Sequence, residues 1–200
     1  MRVVVVGASG TIGAAIVAAL EGRHEIVKVA HSHAEHRVEI ASADSIRKLY
    51  DAIGSFDAVA CAAGLATFKP LADLTEEDYR LGLDSKLMGQ INLVRLGLPH
   101  ARDGGSFTLI SGTLAVEPAP GSAAITPANV AVEAFARAAA LEMPRKIRIN
   151  AVRPPWVSET LAAMGRDPSG GMPAAKVATA YVAAIEGRMT GKVLDARDYA

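Results

Sequence analysis

The first thirteen residues restrict the fold of this chain more than any others. The β-branched run Arg2 to Val6 passes directly into Gly7-Ala8-Ser9-Gly10-Thr11-Ile12-Gly13, and helical periodicity follows from Ile12 to Leu20. A continuous valine run suits a strand covered on both faces, as strands of parallel sheets are. Each glycine behind it has a separate use: Gly7 permits a tight turn, Gly10 lets backbone approach a pyrophosphate, and Gly13 lets helix pack on strand. The free amides at the helix start attract phosphate oxygens. Strand, glycine turn and helix in that order predict dinucleotide binding through Gly7, Ser9, Gly10, Thr11, Ile12 and Gly13; the plainer alternative is an ordinary glycine-rich turn.

Strand and helix signals alternate along the rest of the chain. Strands are expected at Glu25 to Ala30, Arg37 to Ile40, Asp57 to Ala62, Ser106 to Ser111, Ile147 to Val152 and Lys192 to Asp195. Helices are expected at Asp44 to Ile53, Tyr79 to Leu98, Pro127 to Leu141 and Ala174 to Glu186. With 200 residues, half of them hydrophobic, there is material for one core rather than two. The expected architecture is α/β: a single doubly wound Rossmann domain over residues 1–200, a parallel seven-stranded sheet with helices on both faces. Pro154 to Pro173, rich in Gly and Pro, reads as a mobile flap.

Charge and cysteine content narrow the function classes. Lysines plus arginines and aspartates plus glutamates both number 21, so no global field draws the chain to nucleic acid or an anionic membrane. The single Cys61 has no partner for an internal disulfide, and Met1 to Val6 runs into glycine instead of an apolar leader; a cytoplasmic location is the expectation. The Ala-rich stretch Ala134 to Leu141 is broken by Arg137, well short of the roughly 20 apolar residues a membrane span needs. His24, His31, His33, His36 and His100 show no ligand spacing with carboxylates, so no metal is expected. A small-molecule substrate remains.

Beyond the glycine turn, Ala62-Ala63-Gly64, Leu109-Ile110-Ser111-Gly112, Val130-Ala131-Val132-Glu133-Ala134-Phe135 and Asn150-Ala151-Val152-Arg153-Pro154-Pro155-Trp156-Val157 complete a pattern. The chain resembles the short-chain dehydrogenase/reductase family over nearly its whole length, with the glycine spacing of extended and atypical members. The resemblance implies a nicotinamide cofactor held by the glycine turn, by Ala62, Ala63 and Gly64, by Glu39 and Ile40 around adenine, and by Pro154, Trp156 and Val157 near the nicotinamide. No carboxylate follows the second strand; Ala30-His31-Ser32-His33 offers neutral or cationic donors, which favours NADP(H) over NAD(H). His31 and His33 also read simply as solvated loop residues.

The family's chemistry uses a tyrosine acid, a lysine four residues later, a serine and an asparagine. Here the tyrosine position falls on Ile125, the lysine position on Asn129 and the strict serine position on Gly112, with Ser111 beside it. The asparagine position falls on Lys86. Lysine and asparagine thus exchange places, which makes Ser111, Lys86 and Asn129 the candidate catalytic set; the alternative is a solvated Lys86 on an amphipathic helix. Tyr50, Tyr79, Tyr181 and Tyr199 read as half-buried packing residues. Trp156 either closes a substrate pocket or covers the sheet edge. Two functions compete: an oxidoreductase with a nonstandard active site, or a binding protein that kept the nucleotide site without catalysis. Helices Tyr79 to Leu98 and Pro127 to Leu141 correspond to those that pair across subunits in the family, implying a homodimer or homotetramer.

Overall fold

The computed structural model describes every residue of the chain except His33. Seven strands are present: β1 Arg2–Val6, β2 Glu25–Ala30, β3 His36–Arg37, β4 Phe56–Cys61, β5 Ala101–Ile110, β6 Arg148–Arg153 and β7 Val193–Asp195. They form one sheet in the order β3-β2-β1-β4-β5-β6-β7, and all pairings are parallel. The chain order reverses direction between β1 and β4. In a doubly wound sheet that crevice, beyond the carboxyl ends of the strands, is where ligands bind.

Alternation along β1 explains the valine run. Val4 and Val6 point into one core, with Ile46, Leu49 and Tyr50 from α2 (Ala43–Ile53) and Val132 and Ala136 from α5 (Ile125–Ala139). Val3 and Val5 point into the other, against Ile16 and Leu20 from α1 (Thr11–Leu20) and Val177 and Tyr181 from α7 (Ala174–Glu186). Each of these four valines is fully buried, worth about 1.5–3 kcal/mol apiece relative to exposure.

Three expectations need correction. The helix expected over Tyr79 to Leu98 is divided: α3 spans Glu76–Leu81, residues Gly82–Met88 wind as a π-helix, and α4 spans Gly89–Gly97. A Cβ on Gly89 would lie 2.8 Å from Ile40 Cγ1, so glycine there lets this helix close onto the end of the adenosine side of the groove. The expected flap is ordered: α6 spans Ser158–Ala163, and the segment is clasped by Ser158 N–H donating to the Met172 carbonyl at 2.9 Å and Met172 N–H to Trp156 at 2.8 Å. The strand expected over Arg37 to Ile40 has only its first residue in β3. Among the described residues no helix is long and apolar enough to cross a membrane.

Candidate active site

The glycine turn has the shape the spacing predicted. Gly7 has φ +89, and a Cβ there would lie 2.9 Å from the Ala62 backbone. A Cβ on Gly13 would sit 1.9 Å from the Gly7 carbonyl oxygen, so α1 can start here only on glycine. The helix carries no side-chain cap at Gly10, which leaves its first-turn amides to an outside acceptor. Gly7, Ser9 and Gly10 line a pocket of about 480 Å³ together with His31, Glu39, Ile40, Ala62, Ala63 and Gly64. A cradle that side chains would fill, uncapped amides and an apolar end fit a dinucleotide's adenosine and phosphates. Thr11 and Ser32 are exposed and do not line it; His33 lies outside the described residues. Ser85, which sequence reasoning missed, belongs to this pocket and accepts the Leu65 N–H at 3.0 Å.

His31 Nε2 stands 3.2 Å from Glu39 Oε2, and Glu39 Oε1 accepts the Ala41 N–H at 3.0 Å. The rim therefore does hold a carboxylate, brought from beyond β3 rather than from the end of β2.

A second pocket, about 270 Å³, adjoins the carboxyl ends of β5 and β6. It brings together Lys86, Ser111, Gly112, Ile125 and Asn129 with Pro154, Trp156 and Val157. Ile12 joins this pocket rather than the first. Thus all three candidate catalytic residues meet in one place.

Lys86 is only 6% exposed, which excludes the solvated alternative. Its backbone packs on Gly64, where a Cβ would lie 2.9 Å from Lys86 Cα, and the π-helix around it turns the side chain inward, a helix irregularity often found at functional sites. Lys86 Nζ donates to the Ser111 carbonyl at 3.4 Å, and among the described residues no carboxylate pairs with it. Burial, which strips the ammonium of water, pulls its pKa from 10.5 to about 8, opposed weakly by the nearby Cys61. The same burial pushes the Cys61 thiol up to about 11. Gln90, unnoticed in the sequence, fixes this region: its amide donates to the Lys86 and Ile110 carbonyls at 2.8 and 2.9 Å and accepts the Ile110 N–H at 2.7 Å.

Asn129 is 1% exposed, and its Oδ1 has no hydrogen-bond partner. A buried acceptor without a donor is costly. Ser111 is committed elsewhere. Its hydroxyl donates to Glu133 Oε1 at 2.7 Å, and Glu133 is gripped by Arg153 through Nε at 2.8 Å and Nη2 at 2.7 Å. Glu133 on α5 thereby ties the segment just after β5 to the end of β6, beside the pocket. The motif carrying Glu133 was visible in the sequence, but its partner lies 20 residues away and no local pattern pairs them.

No tyrosine lines the second pocket among the described residues. Tyr50 and Tyr181 are fully buried, not half-buried, and their hydroxyls donate to the Leu93 and Cys61 carbonyls at 2.7 and 2.8 Å. Tyr79 and Tyr199 are partly buried. Trp156 forms the pocket wall, with the edge of Phe68 against it at 5.4 Å between ring centroids and the Arg166 guanidinium 5.2 Å from its centroid. A larger, shallow hollow of about 540 Å³ opens at the other end of the strands, where Arg2 and Arg102 are already paired with Glu25 and Asp57.

Comparison with known proteins agrees with this geometry. Residues 3–186 match the family described as Enoyl-(Acyl carrier protein) reductase. The chain is similar to the protein lin1944 of Listeria innocua, with TM-score 0.93 and 42% identity over 98% of each chain. A small-chain dehydrogenase solved in complex with NADPH superposes with TM-score 0.82 at 26% identity, covering 98% of this chain and 95% of the other. An uncharacterized oxidoreductase of Methylorubrum extorquens is 30% identical over 77% of this chain and 72% of its own length; the hydroxynaphthalene reductase-like protein Arp2 of Metarhizium brunneum is matched over about half of its length. A parallel sheet with a glycine turn at its switch point defines a Rossmann-like α/β fold. The chain belongs to the short-chain dehydrogenase/reductase family.

Proposed function

We propose that this chain is an NADP(H)-dependent oxidoreductase that interconverts a small carbonyl compound and its alcohol, in an atypical branch where Lys86 replaces the tyrosine as proton donor. One observation carries the reading: Lys86 Nζ is buried in the pocket with a single acceptor at 3.4 Å and no carboxylate partner among the described residues. Nicotinamide, when bound, supplies the hydride. The substrate carbon accepts it, the C=O π pair moves to oxygen, and Lys86 delivers the proton there. Asn129 lines the pocket beside Lys86; Ile125, Trp156 and Val157 keep water from the reacting atoms. Ser111 acts through structure, because its hydroxyl is held by Glu133.

NADP(H) is favoured because His31 and Ser32 follow β2 with no carboxylate at that point, and because Glu39 is engaged by His31 and Ala41. The NADPH complex of a 26% identical relative supports the same choice. Exposed Leu81, Leu83, Met88 and Val130 along α3, the π-helix and α5 support self-association through these helices, testable by light scattering.

The test is the pH dependence of turnover with NADPH and a panel of carbonyl compounds. Lys86 donates only when charged, so reduction is level below about pH 8 and falls above it, while alcohol oxidation rises over the same range. Reduction that increases through pH 9, or full activity in Lys86→Met, overturns the role. A second reading, a nucleotide-binding sensor, draws on the commitment of the Ser111 hydroxyl to Glu133; tight NADPH binding with no turnover across the panel selects it.

A further inference from the structure

The second pocket is unbalanced in charge. Its lining includes one cation, Lys86, and no carboxylate. Glu133, which bonds Ser111, is neutralised by the Arg153 fork at 2.7 and 2.8 Å. A second cation stands beside the wall: Arg166 stacks on the Trp156 ring at 5.2 Å, is exposed, and among the described residues has no carboxylate or carbonyl acceptor. Its neighbour Asp167 is occupied with Ser169, whose N–H and hydroxyl it accepts at 2.9 and 2.7 Å. The stacking holds the guanidinium in place while leaving its fork of donors free, which is the arrangement that captures a carboxylate in two parallel hydrogen bonds. The pocket lining that Trp156 shares with Lys86 is mostly hydrocarbon, from Ile110, Leu114, Ile125 and Pro155, with the polar Thr113 and Thr160 also on it.

We propose that the substrate is an oxo acid, or the corresponding hydroxy acid, with its reacting oxygen at Lys86 and its carboxylate on Arg166. This rests on the hydride-transfer reading above and adds the substrate class. The carboxylate takes no part in the redox step; it fixes which end of the molecule reaches Lys86. A field of one sign over a low-dielectric pocket also concentrates anions at its mouth.

Trp156 is the only tryptophan in the chain, so its fluorescence reports this pocket alone. With NADP⁺ saturating, to fill the phosphate-binding part of the groove, the protein is titrated with 4-oxo-4-phenylbutanoate, whose carboxylate is separated from the reacting carbonyl by two methylenes, and with its neutral amide. The acid is expected to bind about tenfold more tightly, the worth of one charge-assisted pair. Arg166→Gln is expected to abolish that preference and leave affinity for the amide unchanged, and Lys86→Met to keep it. Equal binding of acid and amide by the parent overturns the proposal. So does a preference that survives Arg166→Gln, or one that disappears in Lys86→Met, which would seat the anion on Lys86. NADPH oxidation is followed in parallel with both compounds. An intact acid preference without any turnover supports the carboxylate site and overturns the hydride-transfer reading instead.

Discussion

Replacing Lys86 by methionine should make the protein more stable while removing its activity. The side chain is 6% exposed, its one hydrogen bond is long at 3.4 Å, and no carboxylate among the described residues offsets its charge. A pKa lowered from 10.5 to about 8 means that the folded protein holds the ammonium about 3 kcal/mol less favourably than the unfolded chain does. Methionine fills nearly the same space without a charge to desolvate. At pH 7 both states of the parent are protonated at this site, so the whole penalty is present and the variant should be about 3 kcal/mol more stable. As pH rises through 8 the folded parent loses the proton while the unfolded chain keeps it, the parent gains stability, and the gap should close near pH 10.5. For a chain of this length the difference corresponds to a rise in Tm of roughly 6–12 °C at neutral pH. Urea denaturation of parent and variant from pH 7 to 10 measures it. A variant no more stable than the parent at pH 7, or a gap independent of pH, refutes the reasoning that Lys86 is an uncompensated buried cation.

Other consequences follow from the same geometry. Gly13→Ala would put a Cβ 1.9 Å from the Gly7 carbonyl, so NADPH affinity should fall sharply and stability by about 1–3 kcal/mol. Gly22→Ala, strained by φ +87 but meeting no atom within 4 Å, should cost about 1 kcal/mol and leave NADPH binding intact; isothermal titration calorimetry separates the two. Glu133→Ala should destabilise by about 1–3 kcal/mol, because it leaves Arg153 with only its longer contact to Asp195 and the Ser111 hydroxyl without its carboxylate acceptor, and thermal unfolding reads this directly. Ser111→Ala should cost only about 1 kcal/mol and keep turnover within a few-fold of the parent, as a hydroxyl turned toward Glu133 demands; a loss of a thousandfold would restore Ser111 to the chemistry.

What could be read from the sequence was governed by how local each cause is. Val3 to Val6 sit on both faces of one strand, and the clash that forces Gly13 involves a carbonyl six residues back, so periodicity and spacing alone gave β1, the turn and α1. The same holds for α7, whose boundaries match those expected. The division of Tyr79 to Leu98 had no such signature: its apolar face continues, and the π-helix arises where Gly64 and Ile40 meet Lys86 and Gly89 from other strands. Pro154 to Pro173 reads as loose on its glycine and proline content alone, whereas its structure comes from the clasp between Trp156 and Met172. The candidate site divides along the same line. Position in a motif was enough to bring Lys86, Ser111 and Asn129 into one pocket, but whether each group is free depends on partners remote in the chain. Ser111 is bound by Glu133, itself held by Arg153, Asn129 Oδ1 is unpartnered, and among the described residues Lys86 lacks a carboxylate. The chemical freedom of a side chain is a property of its neighbours, and in this pocket that freedom leaves Lys86 for the ligand while it withdraws Ser111.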